Sequence, residues 1–255
     1  MNLRVVSFNI RCTDDPNDNS IKQRAPRLCK VISKYNPDLI GFQEYTPKWK
    51  PYIKKCFGND YDIFNKYRTK FLNRESCPVL WKKDKFSCIK TGYFWLSDTP
   101  EEQSRGWDEL FDCFRICEYV VLSELKTGLK FVFMNTHLGF GDNCQVKSAK
   151  LIYNYSKKIS SYPTFVTGDF NLKPDSPGYI AMITNFTDSN IQNDRSVTYH
   201  GYNLPDVPQK HIDYCFCDSS IIPLSYAIIK DMSDGGYPSD HYGIMTELSV
   251  KRGEC

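Results

Sequence analysis

A single α/β domain is what this sequence predicts, on three observations. Strand-like and helix-like runs alternate along all 255 residues without a repeating period, so no solenoid or array is indicated. Hydrophobic residues are 41% and aromatics 15%, enough to fill a sizeable core and too many for a disordered chain. Strand after strand also ends on Asn, Asp, Glu or His, where nothing apolar recommends such a residue.

Composition narrows the classes. Thirty-three basic residues against 30 acidic ones leave a net charge of +3, compatible with an anionic ligand but short of a dedicated nucleic-acid domain. The apolar runs fall far short of the ~20 residues that cross a bilayer. The amino terminus enters a strand rather than an apolar leader, so a cytoplasmic protein is expected. Eleven cysteines are scattered without any Cys-x-x-Cys, which argues against zinc. Most are read as buried free thiols in a reducing compartment.

Each element has its own warrant. Leu3 to Ile10 reads as a strand, followed by a polar loop over 13–20. Ile21, Ala25, Leu28, Val31, Ile32 and Tyr35 recur at helical spacing until Asn36-Pro37 stops them. A strand over 38–43 runs straight into Glu44, and Thr46-Pro47 reads as the next helix start. From Tyr61 to Leu125 short strands with long connections are expected, chiefly 78–81, 88–96 and 116–125. Ser97 to Cys113 is polar, acidic and broken by Pro100 and Gly106, hence a surface loop. Thr127-Gly128 turns the chain into a strand over 129–136. Val146, Ala149, Ile152, Tyr155 and Ile159 mark a returning helix, which leads into a buried strand at 163–167. Asp175-Ser176-Pro177 places a cap before a proline and opens a short helix through Ile183. Strands over 211–217, 221–229 and 242–250 complete the chain.

The central stretch is Gly168-Asp169-Phe170-Asn171. On an extended backbone Asp169 and Asn171 point to the same side, at the mouth of a sheet. A carboxylate there can orient or deprotonate a water while the amide donates to developing negative charge, a pairing suited to phosphoester hydrolysis. An Asx turn ending a strand uses the same residues. Repetition favours the chemical reading. Asn9, Glu44 and His137 each close a strand, Asp240-His241 precede the last one, and Asp213 sits between Ile212 and Tyr214, where a buried carboxylate needs a partner.

Six segments carry a family resemblance: Ser7-Phe8-Asn9-Ile10-Arg11, Gly41-Phe42-Gln43-Glu44, Asn135-Thr136-His137-Leu138, Gly168-Asp169-Phe170-Asn171, Ile212-Asp213-Tyr214 and Ser239-Asp240-His241. In this order they resemble the endonuclease/exonuclease/phosphatase superfamily over essentially the whole chain. The central part, with Gly92-Tyr93-Phe94-Trp95, Gly106-Trp107-Asp108 and Arg115-Ile116-Cys117, is similar to a bacterial-type branch. The resemblance implies a four-layer α/β/β/α sandwich like that of DNase I, with the site at one edge of the paired sheets. It implies Mg²⁺ or Mn²⁺ held by Glu44, with Asn9 and Asp240 contributing. Asp169 would activate the water, Asn171 and His137 would contact the phosphate, and His241, held by Asp213, would stabilise the pentavalent charge. Arg115 would be a further phosphate clamp, and His200 either lines the pocket or stabilises a turn.

One departure bears on the substrate. Repair nucleases of the superfamily place a carboxylate two residues beyond the first asparagine, where this chain has Arg11. A phosphate-binding cation there turns the expectation away from DNA repair. The 97–113 loop carries Asp98, Glu101, Glu102, Asp108, Glu109 and Asp112 against Arg105, and should repel a long polyanion. Its aromatic residues Trp107 and Phe111, with Trp95 before it, would cover an apolar or ring-shaped leaving group or anchor the loop. The expectation is a monomeric metal-dependent hydrolase of a small or lipid-like phosphoester. Its rivals are a nuclease and a non-catalytic binding module of the same fold.

Overall fold

The structure, a computed structural model, describes residues 1–71 and 74–251. Two six-stranded sheets form its frame. In the first, β1 (Asn2–Asn9) and β2 (Leu39–Gln43) run parallel because α1 (Ile21–Tyr35) carries the chain back between them. β12 (Gly243–Val250) joins β1 antiparallel with β11 (Ile221–Ile229) outside it, and β4 (Val79–Lys82) and β3 (Tyr61–Phe64) extend the other flank. The second sheet repeats the plan. β7 (Lys130–His137) and β8 (Thr164–Asp169) are its parallel pair, joined through α3 (Asp142–Ile159). β6 (Ile116–Glu124) and β5 (Phe86–Trp95) flank them on one side, β10 (Asp213–Cys217) and β9 (Thr187–Asp188) on the other.

Strand alternation assembles these sheets into four layers. Val5, Leu39, Val120, Leu122, Phe131, Phe133 and Phe165 pack between the sheets. Their neighbours Val6, Ile40 and Phe42 point outward onto α1 and α2 (Lys50–Phe57), where Leu28, Ile32, Trp49 and Ile53 meet them. On the far side Val132, Met134 and Val166 meet Ala149 and Ile152 of α3 and Met182 of α4 (Pro177–Ile183). Both faces of the central strands are therefore buried, which is why their sequences read as nearly continuous apolar runs. The expected α/β/β/α sandwich is the observed architecture.

Near the end that carries the polar residues, the sheets are also joined by hydrogen bonds. Asn135 Oδ1 accepts from Gln43 Nε2 at 2.7 Å and Thr167 Oγ1 at 3.0 Å, while its Nδ2 donates to the Phe42 carbonyl at 2.7 Å. The close approach requires Gly41, since a Cβ there would lie 2.6 Å from Thr167 Oγ1 and 2.7 Å from Asn135 Oδ1. Asn135, Gln43 and Gly41 thus owe their place in the motifs to this junction between the sheets.

Several local expectations change. Thr46-Pro47 does not start α2, since 47–49 form a turn and the helix begins at Lys50 with Pro51 in its first turn. The short strands β3 and β9 lacked a sequence signal of their own. Ser176 caps α4 as expected, its side chain accepting from the Tyr179 N–H. Cys29 and Cys56 are joined as a disulfide between α1 and α2, two exceptions to the expectation that most cysteines are free. Of the eight free cysteines among the described residues, Cys77, Cys117, Cys144, Cys215 and Cys217 are buried. Among the described residues no helix is long and apolar enough to cross a membrane.

Candidate active site

The carboxyl ends of the two parallel pairs converge on one cavity of about 470 Å³. Strand register sets the layout. His137 of β7, Asp169 of β8 and Asp213 of β10 lie side by side, since Asp169 pairs with both of the others. From the first sheet, Asn9 closes β1 and Glu44 follows β2. Three residues at the strand-to-loop transitions take a left-handed backbone: Arg11 at φ 59°, Glu44 at φ 58° and Asn171 at φ 51°. Such conformations cost energy for residues with a Cβ and gather at functional sites.

Asn9 links the two carboxylates, its Nδ2 donating to Glu44 Oε1 at 3.1 Å and to Asp169 Oδ2 at 2.9 Å. Glu44 Oε2 accepts from the Cys12 N–H at 2.8 Å. Burial opposes ionisation of Glu44, yet His137, the Cys12 N–H and Arg11 together hold it well below the usual carboxylate range. Because His137 is itself kept neutral, the Cys12 N–H and Arg11 do this work at neutral pH. Asp169 is buried, and burial together with the charge of Asp213 pushes its carboxyl up to about 7. Its Oδ1 accepts from the Asn171 N–H at 3.0 Å.

Two histidines flank Asp169. His241 Nε2 lies 3.7 Å from Asp169 Oδ2, and its Nδ1 lies 3.0 Å from Asp213 Oδ2. Burial opposes its charge, but Asp213 and then Asp169 and Asp240 raise the imidazole to about 10. His137 Nε2 lies 3.5 Å from the same Asp169 oxygen, while its buried Nδ1 has no partner among the described residues. Burial and the nearby Arg115 push it well below its ordinary value.

The remaining expected residues fall as follows. Arg115 lines the cavity with its Nε and Nη2 bound to Asp108 Oδ2 at 3.1 and 3.0 Å, behind the cavity wall. Arg11 is forked onto Asp15 at 3.1 and 3.2 Å and stands 3.5 Å from Asp240. Asn171 donates its side-chain amide to the Leu138 carbonyl at 3.0 Å and lines the cavity. His200 does not line the cavity. Its ring stacks on Tyr242 at 4.1 Å, and its N–H donates to the Asp240 carbonyl at 3.0 Å, so it serves the turn. Trp95 and Trp107 are not at the cavity either, their indoles donating to the Arg68 carbonyl and to Asp98, whereas Phe111 does line it. Half of the acidic loop's six carboxylates are paired, with Glu101, Asp108 and Asp112 bound to Lys158, Arg115 and Arg105.

With this geometry in view, comparison decides the family. A profile of the endonuclease/exonuclease/phosphatase family matches residues 6–241. The chain belongs to that family.

Its relatives within the family include two solved structures from Bacteroides thetaiotaomicron. One is described as an endonuclease/exonuclease/phosphatase family protein, 26% identical over 99% of both chains with a TM-score of 0.89. The other is a mannosyl-6-phosphatase, 25% identical over 97% of this chain and 100% of that one, with a TM-score of 0.86. An uncharacterized mimivirus protein is 28% identical over 160 residues, 59% of each chain, so the match spans about three fifths of that curated relative. The family is one of metal-dependent phosphoester hydrolases.

The residues present fit a hard divalent cation. Glu44 and Asp240 line one cavity, and the charge of Glu44 helps to raise Asp240, after burial as the larger cause. A cation between them would relieve that repulsion, and an oxygen-only donor set suits Mg²⁺ or Mn²⁺. Asp169, Asp213 and His241 also lie close enough to share an ion, their ligand atoms being within 4.8 Å of one another. Geometry favours the other location, because Asp213 is already engaged by His241 Nδ1.

The sequence reading missed several parts of this candidate site. Arg68, Glu75, Tyr199, Lys210 and Phe140 line the cavity from loops with no motif to mark them. Arg24, wholly buried on α1, fixes the loop bearing Arg11 by donating to the carbonyls of Ile10 at 2.6 Å and Asn19 at 2.7 Å. Its signal was legible in principle, as an arginine on the apolar face of a predicted helix.

Proposed function

We propose that residues 1–255 act as one catalytic domain, a monomeric Mg²⁺- or Mn²⁺-dependent hydrolase of small phosphoesters. The observation that carries this reading is Asp169, pushed up to about 7 and held between a histidine backed by Asp213 and the metal-binding carboxylate side of one cavity. A carboxylate poised there takes the proton of an attacking water near neutral pH. His241, cationic and fixed by Asp213, offsets the negative charge that builds on the phosphorus oxygens. Asn171 and Arg115 orient the phosphate, and neutral His137 gives it one further hydrogen bond. Glu44, with Asn9 and Asp240, would hold the metal, which supplies Lewis-acid polarisation of a phosphoryl oxygen when bound.

A small substrate agrees with a cavity of about 470 Å³ and with the phosphatase among the structural relatives. A nucleic-acid substrate stays a second reading on one observation. The loop expected to repel a polyanion has three of its carboxylates paired to basic residues. The test is phosphate release from phosphosugars, phospholipid head groups and nucleotides, beside plasmid nicking, with Mg²⁺, Mn²⁺ or EDTA. Turnover of a small phosphoester that EDTA abolishes is expected. Efficient nicking that weakens by roughly 0.9 log units per log unit of salt for each phosphate contact, with negligible small-substrate turnover, would replace this reading by the nuclease one.

A further inference from the structure

The cavity contains two arginine–carboxylate pairs, and they are built differently. At Arg115 the carboxylate partner, Asp108, lies behind the wall with a side chain 1% exposed, so the cavity meets only the guanidinium. At Arg68 the partner is Glu75, 2.7 Å away, and both residues line the cavity. Their side chains are 11% and 15% exposed. A pair this buried brings little net stability, because desolvating both charges offsets their attraction. Its place in the wall therefore calls for another account.

The unused valences supply one. Arg68 gives only Nη2 to Glu75 Oε1, and among the described residues Glu75 Oε2 and the other guanidinium nitrogens of Arg68 have no partner. A phosphate gains little from such a surface, since Glu75 repels what Arg68 attracts. A hydroxyl suits it, being donor and acceptor at once. Two adjacent hydroxyls could donate to Glu75 and accept from Arg68 together. Phe111, Phe140 and Tyr199, on the same lining, offer apolar faces to a carbon ring.

The pair is also held firmly. The Arg68 N–H donates to the Glu75 carbonyl at 2.9 Å, and Trp95 Nε1 donates to the Arg68 carbonyl at 2.9 Å. Fully buried Glu118 accepts from the Lys66 N–H at 2.8 Å and the Cys77 N–H at 2.7 Å, closing the connection just outside both residues.

We propose that Arg68 and Glu75 form a leaving-group subsite that selects phosphoesters of polyhydroxylated rings, sugars or cyclitols, by gripping adjacent hydroxyls. This rests on the phosphoester-hydrolase reading above. The experiment compares kcat/KM for mannose 6-phosphate and myo-inositol 1-phosphate with that for p-nitrophenyl phosphate, whose leaving group carries no hydroxyl substituents. It uses the whole chain and its Glu75→Gln and Glu75→Asp variants, the second keeping the charge while shortening its reach. Removing a charged hydrogen-bond partner should lower the ratio of polyol to p-nitrophenyl turnover by about 10–100-fold in Glu75→Gln, for whichever ring the protein takes. A ratio unchanged in both variants overturns the subsite. If the parent protein turns over none of the three, the hydrolase reading fails by itself, and the subsite is judged by calorimetric binding of mannose 6-phosphate and myo-inositol 1-phosphate. Binding weakened in the variants upholds it, and no binding, or equal binding, overturns it.

Discussion

His137 and His241 stand at nearly equal distances from the same oxygen of Asp169, 3.5 and 3.7 Å, and both are buried. Their protonation is opposite. Burial and Arg115 keep His137 neutral, while Asp213, against the effect of burial, raises His241 to about 10. The difference between them is what lies behind each ring: a carboxylate at 3.0 Å from His241 Nδ1, and no partner among the described residues for His137 Nδ1. Proximity to the reacting centre does not by itself assign a histidine's role. The partner on its far nitrogen does.

The largest effect should come from the carboxylate that both rings face. Asp169→Asn preserves shape and removes the proposed base, so turnover should fall on the order of 10²–10⁴-fold with little change in substrate affinity. Asp38→Asn is the control. That carboxylate precedes β2, at the end away from Glu44, where it accepts from the Arg4 N–H at 2.9 Å and pairs with Lys85 at 2.9 Å. Kinetics of the two variants beside their melting curves check this, and equal losses would remove Asp169 from the mechanism.

A smaller loss, on the order of 10²-fold, is expected for His241→Gln, since it removes one preorganised cation from the transition state. Asp213→Asn should come close to it, and the double variant should be little worse than the worse single one, because the two act as a unit. The pH profile adds a sign. The proposed mechanism needs Asp169 ionised and His241 protonated, so activity should rise as pH passes about 7 and fall as pH passes about 10. Without the Asp213 charge His241 loses its proton at lower pH, and the alkaline limb of Asp213→Asn should shift downward. Multiplicative losses with an unmoved limb would show that Asp213 does not act through His241.

How much of this was legible follows from the range of each interaction. Asn9, Glu44, His137, Asp169 and Asp213 lie at or just beyond strand ends, so residue pattern singled them out, and the family resemblance placed them in one site. The four layers came from the family resemblance, and the structure supplies their physical reason, since strands apolar on both faces must be covered twice. What escaped depends on contacts between loops. Arg68 and Glu75 are separated by 7 residues on a connection without motif or period, and their meeting is set by Glu118 on another sheet. The acidic loop misled in a related way: its carboxylates were counted as charge, but Asp108 is spent on Arg115. Of the two roles open to His200, the structure takes the turn: its backbone N–H holds the Asp240 carbonyl while the ring stacks on Tyr242.

The smallest effect should belong to His137, and it sharpens the comparison most. Its neutral ring can offer the phosphate one N–H, a bond worth about 0.5–1.5 kcal/mol, so His137→Asn should cost only about 2–10-fold in kcat/KM. The loss should not move the alkaline limb, because no proton on His137 titrates there. Burial and Arg115 already keep the ring uncharged across the working range. Arg115→Gln should consequently let His137 take a proton more readily, which nitrogen-resolved NMR titration of the two rings would register as an upward shift for His137 with His241 less affected. If His137→Asn instead matched His241→Gln in magnitude and moved the same limb, the two histidines would share one role. The carboxylate behind His241 would then not be what separates them.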